Sequence, residues 1–132
     1  MAAKAVVEAQ ALVPDCVAIG VVDVESGLLL DVKTVDSHPS DVLDLVAAAT
    51  GDLFQGPNVS AIENHFKKAR GVSSDARYFQ EIIVNSTHLI HVFIRMKKKQ
   101  SQVVVFVCRN TANIGMVLSK ARLAMPSLEA SF

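Results

Sequence analysis

The sequence predicts an α+β fold, a five-stranded antiparallel sheet of order 2-1-5-4-3 with helices on both faces. Three observations predict it. Apolar runs with helical and strand-like spacing follow one another as helix, two strands, helix, three strands, helix. Strands 1, 4 and 5 are apolar on both faces and belong inside a sheet, whereas strands 2 and 3 carry charge and belong at its edges. Short turns join strands 1 to 2, 3 to 4 and 4 to 5 as hairpins, so strand 1 must lie against strand 5.

The first helix rests on Ala2, Ala5, Val6, Ala9, Leu12 and Val13, which share one face, and Pro14 and Asp15 end it. "CVAIGVVDV" from Cys16 to Val24 is a strand buried on both faces. Gly27 in the turn "ESG" is available for positive φ. In "LLLDVKTV" the residues Leu28, Leu30, Val32 and Thr34 take one face and Asp31 and Lys33 the other, as on a half-buried edge strand. The second helix starts near Ser37 or His38 as cap, with Pro39 in its first turn and Asp41 at the positive end of its dipole. Its stripe is Val42, Leu45, Val46, Ala49 and Leu53. Beyond "QGPN", Val59, Ile62, Phe66 and Ala69 form a second stripe, turned by roughly 220° from the first. Pro57 would clash with the Leu53 carbonyl, so the helix breaks or kinks there, or its second stripe meets something other than its own sheet. "RGVSSDAR" is a loop. Strand 3 is "YFQEIIVN", strand 4 "HLIHVFIRM" and strand 5 "QVVVFVCR". Thr111 or Asn110 caps a last helix with the face Ile114, Val117, Leu118, Ala121 and Met125, and Pro126 stops it. One domain over residues 1–126 and a short loose tail over 127–132 follow.

The chain has 132 residues, one domain's length, and 51% of them are apolar with no Trp. It needs neither disulfide nor metal to fold. Thirteen basic residues balance thirteen acidic ones, which argues against nucleic acid as a partner. No apolar run has the length of a membrane span, and the first fifteen residues do not read as a secretory signal, so a cytoplasmic protein is expected. Cys16 and Cys108 read as reduced, buried packing residues that strands 1 and 5 can make neighbours.

The chemical candidates fail on geometry. His88 and His91 are three apart on a strand and point to opposite faces, so they cannot share a metal ion. "KKKQ" is a polar turn without interleaved aromatics. Asp36, Ser37 and His38 are adjacent and cannot converge as a triad. Gly51 and Gly56 have phosphate-loop spacing, but Pro57 and Asn58 replace the required lysine and hydroxyl. No catalytic residue, cofactor or metal is implied. What remains is strand 3, an edge interrupted only by Glu81 and by no proline, which invites pairing with another copy. A monomer with that edge covered by "RGVSSDAR" is the alternative.

"VAIGVVDVESGLLLDVKT", "HVFIRMKKKQSQVVVFVCRNTANIGMVLSKAR" and the long helix between them resemble the Roadblock / dynein light chain domain family, from about Lys4 to Met125. The shared signals are Gly27 after the first strand, the lysine-tipped hairpin and the "TANIG" entry to the last helix at Thr111 to Gly115. The "QGPN" break departs from the pattern. The resemblance implies a profilin-like α/β/α sandwich without catalytic residues of its own. It implies homodimers or heterodimers in which strand 3 pairs with its mate into a ten-stranded sheet and the middle helices lie together. It also implies binding to small Ras-like GTPases, or scaffolding in motor and signalling complexes. The expected reading is a cytoplasmic homodimeric adaptor that regulates such a GTPase. Its interface is Tyr78, Gln80, Ile82 and Val84 on strand 3 with Val59, Ile62 and Phe66 on the helix. The alternative function is a small-molecule-sensing module, with His91 and Gln80 as polar contacts.

Overall fold

A computed structural model describes residues 3–35, 40–71, 77 and 79–132, with the side chains of 40–45 excluded. The elements are α1 (Lys4–Leu12), β1 (Cys16–Asp23), β2 (Leu28–Thr34), α2 (Ser40–Gln55), α3 (Pro57–Arg70), β3 (Glu81–Asn85), β4 (Leu89–Arg95), β5 (Gln102–Arg109) and α4 (Ile114–Ser131). The sheet runs β2-β1-β5-β4-β3, antiparallel throughout. The order inferred from strand polarity is the one observed.

Two apolar layers result from the alternation of side chains along the central strands. Ile19, Val21, Ile90, Val92, Ile94, Val104 and Phe106 pack with Val6 and Ala9 of α1 and with Val117, Ala121 and Leu128 of α4. Val17, Val22, Phe93, Val103, Val105 and Val107 face the other way, onto Ala47 and Phe54 of α2. Gly27 has φ of 73° in the β1–β2 turn, a conformation that a Cβ would strain.

Four expectations need correction. Pro126 does not stop the last helix. It lies inside α4, Leu128 beyond it is fully buried, and Glu129 accepts from the Lys97 N–H. Tertiary burial of that last turn outweighs the missing proline donor, so residues 127–131 are helical rather than a loose tail. The α4 cap is Asn113, whose side chain accepts from the Met116 N–H, and not Thr111 or Asn110. In β2 a bulge opposite Val21 and Val22 shifts the alternation. Leu29 and Val32 reach the α2 layer, while Leu28 and Leu30 are exposed. Among the described side chains of α2 the buried ones are Ala47, Thr50 and Phe54, so Ala49 and Leu53 turn outward. Thr50 enters the core because its hydroxyl donates to the Val46 carbonyl at 2.6 Å. The proposed cap at Ser37 or His38, with Pro39, lies outside the described residues, as do the side chains of Asp41, Val42 and Leu45.

Candidate functional site

The middle helix breaks where the sequence expects. Gly56 is extended, with φ −63° and ψ 167°, and Pro57 occupies the first turn of α3. There its missing N–H costs nothing. Gly71, at φ 67°, closes the helix. Between these ends α3 buries one side chain, and that side chain is charged. Glu63 is inaccessible to solvent, while Ile62 and Phe66 are 44% and 48% exposed and Val59 is half-buried. Glu63 lies about 60° around the helix from the centre of that apolar row. Leu53 on α2 is also exposed.

The anchor of α3 is a polar clasp. The Arg77 guanidinium donates to Glu63 Oε1 at 3.1 Å. Arg95 is buried on β4 beneath them, its guanidinium 5.0 Å from the Phe54 ring centroid. It donates to three carbonyls, Phe79 O, Gln100 O and Phe54 O, so one side chain ties the approach to β3, the β4–β5 turn and the end of α2 together. Burial lowers the Arg95 pKa, and the Glu63 charge opposes that shift. Gln100 completes the clasp by accepting from the Arg77 N–H and the Gln80 amide.

β3 forms the sheet edge beside this clasp. The Arg95 N–H donates to Gln80 O at 2.8 Å, which makes Gln80 and Arg95 a hydrogen-bonded pair. Such pairs alternate along an antiparallel ladder. With Ile82 opposite Phe93 and Val84 opposite His91, the backbone groups of 82 and 84 point to β4. Those of Glu81, Ile83 and Asn85 point away from β4. Ile83 and Val84 are 42% and 39% exposed, and Phe79, Gln80, Glu81 and Ile82 line a depression along the edge. On the α4 side, Glu81 takes a bidentate ion pair from Arg122, with bonds of 2.9 and 2.7 Å. This bond, reinforced by the Arg122 charge, lowers the Glu81 pKa.

The opposite edge is closed to pairing at its centre. The Val35 N–H donates to Val17 O, so by the same alternation the Val32 N–H points outward from β2. Asp31 Oδ1 accepts it at 2.8 Å, while Asp31 Oδ2 accepts from the Ala3 N–H at 2.7 Å. A carboxylate held by the start of α1 thus occupies the position another strand would need.

Among the interface residues named from sequence, Ile82 packs in the α2 layer, Val84 shares its face, and Val59, Ile62 and Phe66 stand on α3. Gln80 spends its amide on Arg77 O and Gln100 Oε1. Tyr78 and most of the "RGVSSDAR" loop lie outside the described residues. The Glu63–Arg77–Arg95 clasp was not anticipated. Its charged residues interrupt apolar patterns, but nothing in their spacing says they meet. His88 is exposed ahead of β4, and His91 stacks on Phe93 with centroids 6.4 Å apart. Among the described residues no group of three or more His, Cys, Asp or Glu could hold a metal ion, and no helix is long and apolar enough to cross a membrane.

No family model and no curated protein matches the sequence. Solved structures do. A Roadblock/LC7 domain from Streptomyces avermitilis is similar with TM-score 0.68 and 12% identity, over 99% of this chain and 98% of that one. The gliding protein mglB from Thermus thermophilus is similar with TM-score 0.65 and 20% identity, over 92% of this chain and 84% of that one. An MglB in a tetrameric arrangement gives TM-score 0.67 at 20% identity, over 95% and 82%. Helices on both faces of a five-stranded antiparallel sheet of order 2-1-5-4-3, over nearly the whole chain, give this protein the Roadblock/LC7 fold.

Proposed function

We propose that this protein is a non-catalytic cytoplasmic adaptor that pairs with a second copy of itself through β3 and α3 and presents the resulting dimer to a partner protein. A small Ras-like GTPase is the partner class that the Roadblock resemblance implies. The observation that carries the self-pairing is the contrast between the two sheet edges. β2 is blocked by Asp31, whereas β3 directs the backbone groups of Glu81, Ile83 and Asn85 away from β4, and α3 carries an exposed apolar row. One open edge supports a closed two-fold pair rather than an open ladder of subunits.

The favoured register is centred on Ile83. It sets Ile83 against its own counterpart and Glu81 against Asn85, giving about six hydrogen bonds between the chains. Ile82 then faces Val84 on the α2 side, and no carboxylate opposes another. The tetrameric arrangement of MglB supports a surface built for self-association.

Ile83→Pro tests the pairing. The Ile83 N–H points away from β4, so proline removes no bond within the subunit but deletes the central donor of the edge. Light scattering should show the mass fall from dimer to monomer with the circular dichroism retained. A dimer that persists in the folded variant would overturn the edge reading.

A further inference from the structure

We propose that Cys16 and Cys108 form an oxidation-sensitive dithiol, which a peroxide converts to an intramolecular disulfide stapling β1 to β5. The two residues are direct cross-strand partners. The Arg109 N–H donates to Asp15 O, so the neighbouring rung is the hydrogen-bonded one and the Cys16–Cys108 rung is the closer, non-hydrogen-bonded kind. Such rungs place Cα atoms about 4.5 Å apart, at the short end of the span that a disulfide bridges. Both side chains enter the α1–α4 layer and both thiols are free, with Cys16 Sγ donating to Ala18 O at 3.2 Å.

A buried cysteine alone is inert. These two differ in place and in ionisation. Cys16 opens β1 at the end of the sheet and is 5% exposed, whereas Cys108 is inaccessible. A bulge between Cys16 and Ala18 loosens the ladder there. The Cys108 thiol lowers the Cys16 pKa despite burial, while Cys16 and burial push Cys108 up. Cys16, at the start of β1 beside the bulge, is the sulfur that a peroxide reaches first, and Cys108 is its resolving partner.

The Cys16 thiolate attacks one peroxide oxygen. The O–O bond breaks, and the departing hydroxide takes a proton and leaves as water, with Cys16 now a sulfenic acid. The Cys108 sulfur then attacks the Cys16 sulfur. The S–O bond breaks and the second water leaves with the Cys108 proton. The two thiols lose two electrons in all and the peroxide gains them. The conversion involves neither β3 nor α3, so it is read the same way whether or not the chains associate.

The test treats the purified full chain with hydrogen peroxide and measures intact mass, free thiols and melting temperature. A mass lower by about 2 Da, loss of both thiols within one chain, and a raised melting temperature that a thiol reductant reverses are expected. Cys108→Ser should trap a sulfenic acid at Cys16 that a dimedone probe labels. Cys16→Ser should stay unlabelled. Two intact thiols under peroxide that oxidises free cysteine, sulfinic acid at Cys16 beside an untouched Cys108, or disulfides between chains would each overturn the proposal.

Discussion

The Glu63 carboxylate lies 3.1 Å from the Arg77 guanidinium, and this bond holds α3 to the body by its charged side while its apolar row faces outward. An amphipathic helix ordinarily buries its apolar row. Here the buried contact is turned towards Glu63, which leaves Ile62 and Phe66 on the outer surface, where another chain can cover them.

Removing the carboxylate should be costly. Glu63→Ala leaves Arg95 buried without its neighbouring charge and releases α3 from Arg77. Loss of one member of a buried ionic set costs about 3 kcal/mol. Urea unfolding followed by circular dichroism measures it, and a midpoint equal to the wild type would show that the clasp contributes nothing.

Phe66→Ser separates association from folding. The side chain is 48% exposed in the subunit, so subunit stability should change by no more than about 0.5 kcal/mol. Self-association should weaken by about tenfold or more, which is roughly 1.4 kcal/mol of binding. Sedimentation velocity across a concentration series reads the second quantity. Unchanged association would remove α3 from the interface.

The Glu81–Arg122 pair predicts an acid dependence. Its hydrogen bond to Arg122 holds the Glu81 pKa below its ordinary value of 4.5 in the folded protein. The unfolded chain therefore binds the proton more readily, and the pair's stabilisation is present above the ordinary value. It is lost as pH falls through the lowered one. The melting temperature should drop over that window, and Arg122→Ala should drop less over the same range. Parallel acid profiles for the two proteins would refute the assignment.

The helical turn beyond Pro126 makes a further claim. Leu128 is fully buried against the sheet, so Leu128→Ala should destabilise the protein by about 3 kcal/mol. A chain cut after Met125 should lose at least as much. Calorimetry of either variant with an unshifted melting temperature would return residues 127–132 to the status of a dispensable tail.

The element order and the strand order were legible in the sequence. Strands 1, 4 and 5 are apolar on both faces, while Asp31, Lys33 and Glu81 mark strands 2 and 3 as edges. Hairpin turns too short to cross the sheet left one arrangement. The helix break was equally legible, because Pro57 lacks a donor and Gly56 lacks a Cβ wherever they occur. These are local properties, carried by residues close together in the chain.

Other features depend on residues far apart in the chain. Pro126 reads as a stop, yet Leu128 finds a site between α4 and the sheet and extends the helix. Leu53 reads as core, yet Phe54 takes the site over β4 because Arg95 lies there to stack on it. Glu63, Arg77 and Arg95 become a clasp only once the chain brings them together. Sequence alone determined the layers and the edge position of β3, since strand polarity and hairpin length are short-range patterns. Tertiary structure decided which helix faces are covered and which backbone groups of the edge point outward, because those depend on register and on packing between segments that the chain sequence separates.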